Sequence, residues 1–298
     1  MSAGPTEPLL SPELLARLES LELTTRKVLR GRLQGERRSR RKGHSVEFAD
    51  FREYAPGDDL RFLDWNLYAR LDRLFLKLHL DEEDLHFHAL VDCSRSMDFG
   101  QPTKLDFAKR LAAALGVIGL LRADRVRVER LGAALTEATP ILRGRGGMRR
   151  LLDHIGAMQP SDEGTSLLEG ARRFAIRNRG TGIVVLITDL LDKHGFQAGL
   201  RALAARRVDL HVIHVLSRDE IEPAVRGDLR LVDCEDGATT EITSTDGLLA
   251  RYRRTVAAFL DEARTFCAKS GINYVSALAE QPLEPLILKL LRRRGLVR

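Results

Sequence analysis

The chain has 298 residues, enough for one large or two small domains, and its 44% hydrophobic and 30% charged content is that of an ordinary globular protein. Its longest apolar run, Leu111 to Leu121, is closed by Arg110 and Arg122 and falls well short of the roughly 20 residues a bilayer span needs. The start, "MSAGPTEPLLSPELL", has no basic residue ahead of an apolar stretch, so no signal peptide is expected and the cytoplasm is the default location. The net charge of +6 is uneven: Leu23 to Ser45 holds nine Lys/Arg against one Glu, or +8, leaving about −2 for the rest.

Residues 11–31 predict a helix, with Ser11 as N-cap, Pro12 at the first helical position, and Leu14, Leu15, Leu18 and Leu21 on one side. The basic run follows; its core, residues 26–42, is a candidate surface for nucleic acid or an acidic partner, or a solvated connector. Residues 36–80 mix short strand-like pieces with a Pro56-Gly57 turn, and "RLFLKLHL" alternates as a strand.

From residue 85 the rhythm changes to alternating strands and helices. "LHFHALV" predicts a strand and "TKLDFAKRLAAALGVIGLL" a helix, with Thr103 and Asp106 spaced as a capping box. "DRVRVERLG" and "ATPILR" read as strands, the "RGRGG" turn precedes a helix over 147–158, and "SLLEGARRFAIRN" is another helix. "GIVVLITD" is continuously apolar, as when both sheet faces are covered. A helix over 196–206 leads to the strand "VDLHVIHVL". Beyond Ser217 come a hairpin turning at Asp236-Gly237, a long helix ending at Gly271, the strand "NYVSAL" and a basic helix over 283–294. The pattern predicts an α/β fold, a doubly wound and mainly parallel sheet with helices on both faces. The expected divisions are 1–35, helix and basic connector; 36–80, a small β-rich subdomain, drawn as shared with the hairpin 225–243; 81–218, the core; and 219–298, completing the fold.

Two strands end in aspartate, at Asp92 and Asp189. In open α/β sheets ligands bind beyond the carboxyl ends of the strands. If these strands are neighbours, Asp92, Ser94 and Ser96 of "DCSRS", Thr165 of "GTS" and Asp189 converge. All five are hard oxygen donors, suited to Mg²⁺ or Mn²⁺ rather than zinc or copper. The bland reading is a polar strand-to-helix turn capped by Ser96 or Asp98. Cys93 reads as a small space-filling thiol; the three cysteines, Cys93, Cys234 and Cys267, form no CxxC pair. His86, His88, His211 and His214 sit mid-strand and read as covered polar positions. Asp162 and Glu163 are candidates to tune a metal or touch a partner.

In "YAPGDDLRFLDW", Asp58, Asp59, Arg61 and Trp65 are candidates for partner docking, with Asp58 or Asp59 pairing with an Arg and Trp65 as a packed anchor. No partnered His or Glu stands beside the oxygen cluster to act as base, and no phosphate-cradling loop is present, so a Mg²⁺-dependent hydrolase is the alternative rather than the main reading.

The D-x-S-x-S of "DCSRS", the Thr of "GTS" and the Asp of "ITD" resemble the metal-ion-dependent adhesion site of von Willebrand factor A domains. The upstream "EFADFREYAPGDDLRFLDWNLYARLDRLFLK" resembles the signature of the bacterial DUF58 family, which joins such a segment to a von Willebrand A-like domain. The resemblance covers residues 35–275. It implies a metal-dependent protein-interaction module, non-enzymatic, that binds a partner's Asp or Glu. It also implies a MoxR-type AAA+ ATPase as partner, in a chaperone or assembly role.

Overall fold

In the computed structural model the residues described are 9–21, 23, 47–56, 58, 60–80, 85–131, 138–161, 166–178, 180–235, 237–291 and 295–297. The chain divides into two units, Gln34–Asp84 and the remainder. The first helix, α1 (Pro12–Leu18), starts where expected, with Ser11 Oγ accepting the Leu14 N–H at 3.2 Å. It stops early. Leu21 and Leu23 are both buried, and Leu23 makes an antiparallel bridge to Val297. Residues two apart point to opposite sides of a helix, so only extended backbone buries both. Residues 24–46, with the basic run, lie outside the described residues.

The smaller unit contains β1 (Glu47–Glu53), α2 (Trp65–Leu71) and β2 (Phe75–Leu80), with β1 and β2 antiparallel. Asp64 caps α2 by accepting the N–H groups of Asn66 and Leu67.

The larger unit is built on β3 (His86–Asp92), α3 (Lys104–Leu121), β4 (Arg125–Leu131), α4 (Met148–Gly156), α5 (Leu167–Arg177), β5 (Gly182–Thr188), α6 (Gln197–Ala204) and β6 (Val208–Leu216). It continues through a single-turn α7 (Arg218–Ile221), β7 (Gly227–Val232), β8 (Thr239–Ser244), α8 (Asp246–Lys269), β9 (Asn273–Leu278) and α9 (Leu283–Pro285). Five strands form one parallel sheet in the order β4-β3-β5-β6-β9. Strand periodicity of two explains how an unbroken apolar run serves two cores. In β5, Ile183, Val185 and Ile187 enter one cluster with α1, α3, α4 and α9, while Val184 and Leu186 enter the other with α5, α6 and α8. The α/β doubly wound expectation stands.

Three local expectations do not. "ATPILR" is not a strand: Ala138 and Leu142 make isolated bridges to Glu129 and Val126, because Pro140 between them has no N–H to continue a ladder. The final basic helix is a single α turn followed by π-helical Leu286–Leu291. Pro285 breaks the regular bonding, and Leu283, Leu286 and Ile287 are all drawn into the core. Among the described residues β7 and β8 pair with each other alone, as do β1 and β2, so the strand pairing drawn between the two segments is not seen there.

At Gly182 the neighbouring strand comes so close that an added Cβ would lie 2.1 Å from the carbonyl oxygen of His86. The obstacle is backbone, which cannot rotate aside, so β3 and β5 would have to separate. Gly182→Ala is therefore expected to lower unfolding free energy by about 2 kcal/mol or more, read as a lower denaturant midpoint; an unchanged midpoint would contradict this packing.

Candidate functional site

Numbered by their entry into the parallel sheet, the strands stand in the order 2-1-3-4-5. The connections leave in opposite directions on the two sides of the β3/β5 pair, opening a crevice beyond those strand ends. β3 ends at Asp92, and Asp189 follows the last residue of β5 directly. The register aligns Val91 with Ile187, so Asp92 stands opposite Thr188 and Asp189 lies one residue farther on, close enough for its charge to act on Asp92.

Both are buried, Asp92 at 7% exposure and Asp189 at 1%. Asp92 Oδ1 accepts the Ser94 N–H at 2.9 Å, and its Oδ2 accepts the Thr188 hydroxyl at 2.6 Å. The hydroxyls of Ser94 and Ser96 lie 2.9 Å apart and are nearly covered. Ser94 precedes a 3-10 turn, Arg95–Asp98, without capping it by a side-chain bond, and Ser96 and Asp98 lie within that turn. The capping explanation of these serines is thus not what the structure shows. Leu190, next to Asp189, adopts a left-handed conformation (φ 59°), which costs a non-glycine residue about 1 kcal/mol or more. It turns the loop back, so that the Leu190 N–H reaches Thr188 Oγ1 and the Leu191 N–H reaches Asp189 Oδ1, each at 3.0 Å.

Lys104, fully buried at the first position of α3, donates to Asp189 Oδ2 at 2.7 Å and also bonds Glu220. Burial alone would lower its pKa, but the charges of Asp189 and Glu220 outweigh this and raise it. Glu220 is itself fixed by accepting the Ser217 N–H at 2.8 Å in the capping box of α7. Asp92 has no such partner among the described residues. Burial and then the charge of Asp189 push its carboxyl up to about 6, against the lesser pull of Thr188 and Ser94.

Thr165, Asp162 and Glu163 lie outside the described residues. Their described flanks are tied to the site: the Ser161 N–H donates to the Cys93 carbonyl at 2.6 Å, and the Leu167 N–H to Asp192 Oδ2 at 2.8 Å. Cys93 is wholly buried, its thiol pushed up to about 12 mainly by that burial, which suits a space-filling role. His88, His211 and His214 are buried as expected. In the smaller unit Asp58 pairs with Arg52 at 2.7 Å and accepts the Ala55 N–H, the structural alternative anticipated for it. Asp59 is outside the described residues and Arg61 is exposed. Trp65 is 63% exposed and meets Tyr68 edge-on within the smaller unit.

Four contributors were missed in the sequence: Lys104, Thr188, Asp192 and Glu235. One signal existed for Lys104, since a lysine in a first helical turn opposes the helix dipole and implies an acidic partner. Glu235, on the β7–β8 turn, lines the same cleft as Asp92, Ser94, Thr188 and Asp192. It is an acid where sequence reading saw none.

No group of three His, Cys, Asp or Glu side chains arranged for a metal occurs among the described residues. The donors here are of another kind, carboxylate plus hydroxyl. Each carboxylate oxygen has two lone pairs, so those of Asp92 retain capacity beyond their N–H and O–H donors. The cluster Asp92, Asp189, Glu220 and Lys104, fully ionised, sums to −3 and +1, or −2. A hard divalent cation fits both the donors and that imbalance.

The described residues contain no helix long and apolar enough to cross a membrane. A family model described as "Protein of unknown function DUF58" matches residues 50–261. Uncharacterized proteins of Mycobacterium tuberculosis and Mycobacterium bovis are each 31% identical over 259 residues, 85% of this chain and 81% of theirs. Among solved structures, the conserved hypothetical protein BatB from Bacteroides thetaiotaomicron is similar over 70% of this chain and 98% of its own, with 21% identity and TM-score 0.45. The SpRpn10 VWA domain is similar over 69% and 94%, with 12% identity and TM-score 0.38.

The raised Asp92 pKa has a stability consequence. Between the ordinary value, 3.8, and about 6, the folded carboxyl keeps a proton that the unfolded chain has lost. Stability from this group is intact below that window and lost as pH rises through it. His88 and His214, both lowered to about 4 mainly by burial, act oppositely and cost stability as pH falls below 6.5. The test is therefore a difference. Metal-free Asp92→Asn should gain on wild type in melting midpoint from pH 4 to 6.5 and then hold level; a gap independent of pH would contradict the assignment.

Proposed function

The chain belongs to the DUF58 family, and from that premise we propose that it is a protein-interaction module which holds Mg²⁺ or Mn²⁺ at the switch point and through it binds a partner's carboxylate. The observation carrying this reading is the state of Asp92. It is buried between two hydroxyls and a second carboxylate, while the ammonium of the cluster is already tied to Asp189 and Glu220. Asp92, Ser94 and Ser96 would hold the ion, and Thr165 joins them on the family resemblance. Asp189, whose oxygens already accept from Lys104 and Leu191, would contribute charge.

The bound ion supplies a fixed positive centre able to accept an anionic oxygen. A partner carboxylate held there, in a cleft walled by Leu131, Leu167 and Leu190, is worth more than an exposed ion pair, which contributes about 0–1 kcal/mol. The partner proposed is a MoxR-type AAA+ ATPase, or a client protein delivered to it, on the strength of the family resemblance.

A ligand that binds only the folded state raises the melting midpoint. Saturating Mg²⁺ or Mn²⁺ should raise that of the metal-stripped protein by about 5 °C or more. Asp92→Ala should stay folded, show no rise, and lose metal-dependent retention of the purified ATPase. A wild-type midpoint indifferent to both ions would contradict the reading.

A further inference from the structure

The cleft at the switch point is walled by residues from the ends of the parallel strands and the elements next to them, with one exception. That exception is Glu235, delivered by the β7–β8 arm. With Glu235 in place the open space is about 10 Å³, room for one water-sized sphere and not for an incoming carboxylate. The Oε1 of Glu235 is hidden from solvent and has no hydrogen-bond partner. A hidden acceptor that nothing donates to destabilises the fold unless something occupies the space it faces.

The arm is lightly held. It is a two-stranded ribbon, exposed along nearly all of both strands, and such a ribbon is marginal by itself. Its base is tied by the Ser244 hydroxyl donating to the Val225 carbonyl at 2.8 Å. Its tip is tied to the loop after β5 by Lys193 and Asp233, 3.5 Å apart. Asp233 also accepts the Glu235 N–H at 2.7 Å, which orients the turn. The Ser96 backbone N–H also donates to the Glu235 carboxylate, so the tip is held over the cleft by ionic and polar contacts rather than by apolar packing, and such contacts are exchangeable.

We propose that Glu235 is this chain's own occupant of the carboxylate position at the switch-point site, a latch that a partner carboxylate must displace. The inference rests on the metal reading above and adds its regulation. A partner would first have to outcompete a carboxylate present at the high effective concentration of a tethered group, and its binding would release the arm as a signal of occupancy.

The test uses Mn²⁺ and acetate with the full chain. Water-proton relaxation reports the exchanging waters on protein-bound Mn²⁺, and acetate that takes a coordination position lowers it. In E235Q, bound Mn²⁺ should carry more exchanging water than in wild type, and acetate should act at a concentration at least about tenfold lower. Lys193→Gln, which removes the ion pair at the tip and a positive charge felt by Glu235 while keeping the Glu235 carboxylate, should shift the acetate titration the same way by a smaller factor. Coincident titrations in wild type and E235Q, with Mn²⁺ bound in both and lost in Asp92→Ala, would overturn the latch and leave the metal reading standing. No Mn²⁺ binding in any form would overturn both.

Discussion

Two carboxylates at the ends of adjacent parallel strands repel one another, and most of the larger unit is arranged around that fact. Asp92 and Asp189 cannot be moved far apart, because they stand at the carboxyl ends of β3 and β5, which are hydrogen-bonded neighbours. They cannot be solvated freely, because both are buried. Removing ionised groups from water costs several kcal/mol each unless they are paired and hydrogen-bonded. The chain answers for Asp189 with Lys104, positioned by the longest apolar helix of the core and braced by Glu220. For Asp92 the described residues provide only hydroxyl and amide donors. That asymmetry leaves the site chemically unfinished, and the divalent cation proposed above is what would complete it.

The same arrangement links site and surroundings. Glu220 connects Lys104 to the cap of α7, where the Ser217 hydroxyl donates to Glu280 at 3.0 Å, just beyond the edge strand β9. The Tyr252 hydroxyl donates to the Glu220 carbonyl at 2.7 Å, bringing in the exposed half of α8. A continuous run of polar contacts therefore links the switch point to the end of the sheet. The β7–β8 arm leaves the chain between these elements, so the Glu235 latch and the Lys104 network share one side of the molecule's chemistry.

Much of this was legible in the sequence because it depends on short-range pattern. "GIVVLIT" declared a strand covered on both faces, and the Asp-x-Ser-x-Ser spacing predicted hydroxyls returning to the same side beyond a strand end. What escaped depends on distant pairing. Lys104 and Asp189 are separated by 85 positions, and nothing local to the lysine names its partner. Glu235 reads as one more acid in a polar hairpin turn, since the docking of an arm leaves no periodicity. The shortened first helix was hidden for a related reason: Leu18 and Leu21 fit a helical stripe, and only the bridge from Leu23 to Val297 at the far end of the chain shows which conformation wins.

The claim that Asp92 awaits a cation is tested most directly by diffraction from crystals grown with Mn²⁺, using its anomalous scattering to locate the metal. The account predicts one strong peak within coordination distance, about 2.2 Å, of the oxygens of Asp92, Ser94 and Ser96, absent from crystals of Asp92→Ala. A map with no peak there, or with Mn²⁺ only at surface carboxylates, would contradict it.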